Sequence, residues 1–196
     1  MQFCFLFDRV AILVRHWYEV GPADEEHGTR VELRTITRPA HTGSESAAQP
    51  VTLDEPLWRA DIFDLIGEPP GNLSRAHYHP TFEGREPSSR NWDTRLREDW
   101  PGWLSAQLGD LPAVLTAAGA PELAGDGQAP TASQVGQILA AAESMLGSSC
   151  DAGQRCLAAT RDTSTAVAMM LQMFRPPGTA DPRLAGKADQ PAPSLG

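Results

Sequence analysis

The amino-acid sequence predicts an α+β protein: an N-terminal antiparallel β-sheet of four to six strands, then helices, then a disordered C-terminal tail. Three observations lead there. Apolar and polar residues alternate with period two through much of the first eighty residues, the signature of half-buried strands. After about Asn91 the pattern changes to helix caps followed by apolar residues at three- and four-residue spacing. From Arg175 on, RPPGTADPRLAGKADQPAPSLG is rich in Pro, Gly and Ala and almost without large apolar side chains, so it has little to bury. The resulting organisation is an α+β domain over residues 1–119, a linker over 120–130, a helical hairpin over 131–174 and the tail over 175–196.

Phe3, Phe5 and Phe7 alternate, as do Val10, Ile12 and Val14, which gives one or two strands between residues 2 and 20, the second running from about Val10 to Val20. GPADEEHG, residues 21–28, reads as a hairpin loop. Strand character resumes at Arg30, with Val31, Leu33 and Thr35 on one face and Arg30, Glu32 and Arg34 on the other as a solvated charge ladder. A short strand is expected through Val51 and Leu53. A stronger one comes next over Leu57–Ile66, with Trp58, Ala60 and Ile62 opposite Arg59, Asp61 and Phe63. Gly67-Glu68-Pro69-Pro70-Gly71 breaks it, and a last strand is expected over Leu73–His79, stopped by Pro80. Asp93–Glu98 suits a short helix. Pro101 suits the start of a helix to Leu108, Asp110 is an N-cap for Leu111–Ala118, and Gly119 is a stop. Thr131 and Gln134 form a capping box before Val135, Ile138, Leu139, Ala142 and Leu146; a second helix should carry Val167, Met170, Leu171 and Phe174. This hairpin's apolar stripe is thin, so it needs its own sheet, a second copy or another protein to cover it.

The totals exclude several functions. A net charge of −9 over 196 residues repels a phosphate backbone, and both halves are acidic, so nucleic acid is not an expected partner. The N-terminus is apolar but lacks a basic leading region, and Asp8 and Arg9 interrupt it. No stretch approaches bilayer-spanning length, so no membrane association is expected. Three cysteines, Cys4, Cys150 and Cys156, do not make a disulfide framework, and the expectation is a soluble cytoplasmic protein. Fifteen Arg against one Lys is the compositional bias of a high-GC bacterial genome. Phosphate loop, Gly-x-Gly-x-x-Gly, Gly-x-Ser-x-Gly and His-Glu-x-x-His motifs are all absent.

The chemistry-bearing side chains gather between Leu57 and Trp103, which hold two of the five histidines and four of the five tryptophans. Within that stretch Gly71, His77, His79 and Glu83 stand at the spacing G-x5-H-x-H-x3-E. Residues i and i+2 of a strand share a face, so His77 and His79 can aim two imidazoles at one point, and Glu83, beyond the Pro80 turn, can add a carboxylate. Two imidazoles and a carboxylate with open positions suit a divalent Fe, Zn, Mn or Ni ion. Such an ion binds oxygen, polarises a carbonyl or activates water.

This spacing resembles the first metal-binding motif of the cupin superfamily. The resemblance implies that His77, His79 and Glu83 are metal ligands. It spans about 20 residues, a small part of the chain. Arg90 stands where the family closes the motif with Gly, no His follows His79 to supply the second motif, and the chain turns helical where a barrel would need more strands. The expectation is therefore a cupin-like or independently built site with a further ligand from upstream, for which His16, His41 and Asp61 are candidates. Leu57-Trp58-Arg59-Ala60-Asp61, Ala76-His77-Tyr78-His79-Pro80 and Glu86-Pro87 also resemble stretches in uncharacterised proteins of high-GC bacteria, a resemblance that implies no activity.

These features support two functions. In the first, a divalent metal at His77, His79 and Glu83 binds a small molecule, which Arg59 or Arg75 orients if it is anionic. In the second, the sheet is a scaffold and residues 131–174 bind a protein partner or a second copy. The plainer alternative for the histidines is structural hydrogen bonding near a buried turn. Arg59 and Asp61 share a strand face and suit a structural ion pair. Trp92, Trp100 and Trp103 suit a cover for the sheet.

Overall fold

The alternating segments form a five-stranded antiparallel sheet in a computed structural model that describes residues 2–20, 25–38, 40, 50–125 and 129–146. The strands are β1 (Gln2–Leu6), β2 (Val10–Val20), β3 (Glu25–Thr37), β4 (Thr52–Leu65) and β5 (His77–His79), each paired with its sequence neighbour in a meander. A two-stranded ribbon, β6 (Phe82–Glu83) and β7 (Glu86–Pro87), comes after them. Then come α1 (Thr94–Glu98), α2 (Trp100–Gly109), α3 (Leu111–Ala117) and a 3-10 turn over Pro121–Leu123. Residues 132–146 form a further helix, α4. The second helix expected after 150, the tail from 175, Cys150, Cys156 and His41 lie outside the described residues. Among the described residues no helix is long and apolar enough to cross a membrane.

Two expected strands prove to be one: β4 runs unbroken through Pro56. That proline faces Arg34 at the register shift between Leu33 and Ile36, where the ladder is already interrupted and the missing N–H is tolerated. The strand expected to begin at Leu73 is only three residues long. The buried Asp64 carboxylate accepts from the backbone N–H groups of Gly71 and Leu73, both at 2.7 Å, and pins residues 71–73 in a turn. Leu73 takes a left-handed φ of 51° there. The strand after the first hairpin starts at Glu25, five residues before Arg30, so most of β3 pairs with β2 in a long regular ladder.

The helices start where their caps predict. Asp93, Asp99 and Asp110 accept from the backbone N–H groups of Arg95, Gly102 and Ala113, and Thr131 and Gln134 bond each other reciprocally at the head of α4. Their apolar faces cover one side of the sheet. Ile12, Val14, Val31, Leu33, Trp58, Ala60 and Ile62 meet Leu96, Trp103, Leu104 and Leu111, with Trp58 and Trp103 stacked at 5.9 Å.

The core does not end at residue 119. Ala120 and Leu123 are buried in it, so the expected linker is in part packed structure. Val135, Ile138, Ala142 and Met145 of α4 join the same cluster, and the Thr29 hydroxyl donates to the Ala142 carbonyl at 2.9 Å. Helix α4 is part of the sheet domain, and its apolar stripe is covered by that sheet.

Candidate metal centre

The antiparallel register decides what the other side of the sheet holds. Trp58, Ala60 and Ile62 face the helices, so Arg59, Asp61 and Phe63 face away from them. Arg30 stands opposite Asp61, and Glu32 opposite Arg59; Arg15 of β2 stands opposite Arg30. On the other edge His77 pairs with Asp61 and His79 with Arg59. Tyr78, between the two histidines, turns the opposite way and packs on Trp103 at 5.3 Å. That apolar contact commits both imidazoles to the far face. The Asn91 backbone closes the outer edge of β5, exchanging bonds of 2.9 and 2.8 Å with Tyr78.

This face is not the solvated charge ladder expected from alternation. Arg30 and Glu32 are each 3% exposed, and Asp61 is fully buried. The Arg30 fork donates to Asp61, Nε to Oδ1 at 2.6 Å and Nη2 to Oδ2 at 3.1 Å. Its guanidinium lies between two aromatic rings, 4.2 Å from the Trp17 centroid and 5.6 Å from that of Phe63. Gly28 stands in register between Trp17 and Phe63. Glu32 pairs with Arg34 at 2.6 Å and Arg15 at 3.6 Å. Alternation shows which residues share a face but cannot distinguish water from a buried ionic network.

Both histidines are held by the ring nitrogen remote from Asp61. His77 Nδ1 lies 2.7 Å from the Arg75 carbonyl oxygen and His79 Nδ1 lies 2.5 Å from that of Ser88. A carbonyl only accepts, so each Nδ1 carries the hydrogen and each Nε2 of the neutral ring presents a lone pair. Those two Nε2 atoms face one carboxylate oxygen, Asp61 Oδ2, from 3.4 Å for His77 and 3.7 Å for His79. Ligand atoms of Asp61, His77 and His79 all lie within 4.8 Å of one another. Arg59 closes the group: its Nη2 donates to His79 Nε2 at 3.0 Å, and its Nε forms an ion pair with Asp61 Oδ2 at 3.0 Å. Among the described residues His77 Nε2 has no matching donor.

Electrostatics favour the ligating forms of Asp61 and His79. Burial alone would raise the Asp61 carboxyl. The His77 ring, when it carries a hydrogen on Nε2, together with the guanidiniums of Arg30 and Arg59, outweighs burial and holds Asp61 well below the usual carboxylate range. Burial pushes the His79 imidazole below its ordinary value; the Ser88 carbonyl opposes this, and Arg59 adds to it. Asp61 is therefore an anion and His79 a neutral ring near neutral pH, the states in which both donate to a metal.

The predicted site residues separate. His77, His79 and Asp61 converge. Glu83 does not join them: Pro80 ends β5, and Glu83 lies exposed on the β6–β7 ribbon. His16 is on the helix-covered face, with its ring 6.4 Å from that of His27. Arg75 contributes its backbone carbonyl, while its side chain approaches Glu26 at 3.8 Å. Of the tryptophans expected to cover the sheet, Trp103 does so, whereas Trp92 is 56% exposed and leans on His77 at 5.3 Å. No spacing rule in the sequence points to Arg30 or Trp92 as parts of the site. No known protein family, curated protein or solved structure matches this chain.

Proposed function

We propose that this protein binds one divalent transition metal through Asp61 on β4 and His77 and His79 on β5, with open positions for a small-molecule ligand. The observation that carries this reading is the convergence of three lone-pair atoms around one point, with both imidazoles oriented by backbone carbonyls. Lone pairs facing across 3.4 Å repel unless something positive lies between them. Two neutral imidazoles and a carboxylate suit Fe(II), Zn, Mn or Ni. The pair of histidines from the cupin-like spacing is retained, and Asp61 takes the place of Glu83 as the carboxylate ligand. The open positions are where a carbonyl would be polarised or a water activated.

A second reading also rests on an observation. Arg59 already donates to His79 Nε2, and a hydrogen on His77 Nε2 would satisfy Asp61, which would make the group a closed structural ion cluster. The interaction-module reading loses its motive for residues 132–146, whose apolar face is buried on the sheet.

Co(II) titration followed by visible absorption, beside elemental analysis of untagged protein purified without chelator, separates the two. The metal reading expects one ion per chain, lost in a His77→Ala/His79→Ala variant whose circular dichroism is unchanged. No cobalt band and no metal in the parent would leave the ion cluster as the answer.

A further inference from the structure

Asp61 and the imidazoles are not equally free to rearrange around an ion. The Asp61, His77, His79 and Arg30 side chains are 0%, 1%, 5% and 4% exposed, so each is walled in. Arg30 is further fixed by its two-point bond to Asp61 and by the rings of Trp17 and Phe63. Arg59 differs. Its side chain is 12% exposed, and it leans on the Phe82 ring of the β6–β7 ribbon at 5.7 Å. It is the member of the group with the clearest way out to solvent. It also sits on two of the metal's ligand atoms, His79 Nε2 and Asp61 Oδ2. A cation entering the site must displace it.

Charge decides the role of the displaced side chain. A divalent ion beside one carboxylate and two guanidiniums leaves a formal excess of positive charge in a buried place. The nearby carboxylates are already engaged, Glu19 with Arg30 and Arg90, Glu26 with Arg90, and Glu32 with Arg15 and Arg34. A displaced guanidinium keeps its fork of donors, whose geometry matches a carboxylate.

Resting on the metal reading above, we infer that Arg59 is a latch: it closes the empty centre, gives way to the metal, and then anchors a small carboxylate ligand bound at the metal's open positions. The centre thereby selects a carboxylate-bearing molecule rather than a neutral one, and Arg59 positions it.

The test uses the full chain, Co(II) as the metal and acetate as the probe, with Arg59→Gln and Arg59→Lys compared to the parent at constant ionic strength. Circular dichroism first establishes that the variants keep the fold, as the intact Arg30–Asp61 pair predicts. Arg59→Gln should bind cobalt about tenfold more tightly or better, because a competing cation is gone. The same variant should need about tenfold more acetate to change the cobalt spectrum, because the anchor is gone. Arg59→Lys, which keeps the charge without the fork, should fall between. Equal cobalt affinity in parent and Arg59→Gln, or equal acetate affinity, would overturn the latch while leaving the metal centre standing. No cobalt band in either protein would instead bring down the metal reading beneath it.

Discussion

Replacing Asp61 by Asn tests the buried ionic network most directly, because it removes a charge and keeps the shape. Asp61 is fully buried and is the counter-ion of Arg30, which is 3% exposed and whose other carboxylate partner among the described residues is Glu19, at 3.3 Å. The amide would offer the two-point Arg30 fork one acceptor in place of two, and two guanidiniums would lose their nearest negative charge. Breaking a buried pair by removing one partner typically costs about 3–5 kcal/mol, since the survivor is left desolvated and uncompensated. With a urea dependence of about 2 kcal/mol per molar for a domain of this size, the unfolding midpoint should fall by roughly 1.5–2.5 M. The measurement is equilibrium urea unfolding by far-ultraviolet circular dichroism with chelator present, so that bound metal contributes nothing. A double variant, Arg30→Met/Asp61→Asn, should recover part of the loss, because the stranded guanidinium is gone too. A shift under roughly 0.5 M for Asp61→Asn, about 1 kcal/mol at that slope, would refute the reasoning: the carboxylate would have to be hydrated, or Arg30 satisfied elsewhere.

Gly28→Ala should lower stability by about 2–3 kcal/mol and the Tm by roughly 5–10 °C. An added Cβ would meet the Ile62 carbonyl oxygen at 2.1 Å and the Phe63 Cα at 2.9 Å, so the strands must part to admit it; a melting curve that overlays the parent would contradict this. Stability should also fall as pH drops from 7 towards 5. Burial, reinforced for His16 by its neighbour His27 and opposed for His27 by Asp64, holds both imidazoles below their ordinary value. The unfolded chain therefore takes up protons first, below about pH 6.5, and the stabilisation present above that pH is lost as pH falls through the folded values. A His16→Gln/His27→Gln variant should show a flatter Tm-versus-pH curve than the parent over this range; parallel curves would mean the two rings titrate alike in folded and unfolded chains.

Local signals carried the fold a long way. The Phe3–Phe7 and Val10–Val14 alternations gave strands that match β1 and β2, and Asp110, Gly119, Thr131 and Gln134 mark their helix ends because caps are local chemistry. The shared orientation of His77 and His79 was equally local, a consequence of strand geometry alone. Asp61 as their companion was not. It lies on another strand, and its pairing with His77 depends on how residues 66–76 turn. That turn depends on the Asp64 carboxylate capping two backbone amides, a contact no period announces. Glu83 is near the histidines in sequence, but the chain beyond Pro80 turns into a separate ribbon that carries it away from them. Arg30 read as solvated because a period-two pattern reports polarity, not hydration.

The two faces of the sheet thus answer to different physics. Against the helices, apolar burial supplies the stabilisation, and a volume-conserving substitution there should be tolerated. On the other face, well-packed apolar residues would be as stabilising as Arg30, Asp61, Glu32 and their partners, or more so. Stability alone therefore gives no reason for the arrangement. Specificity gives one: β5 is three residues long, and on this face its only side chains are His77 and His79. Its place beside β4 is marked by what those rings meet, Asp61 and Arg59. A slip of one residue would turn both imidazoles into the apolar core and Tyr78 out of it. A cation held jointly by Asp61 on β4 and the two histidines on β5 would lock that register further. Metal occupancy and the docking of the last strand would then be one equilibrium rather than two.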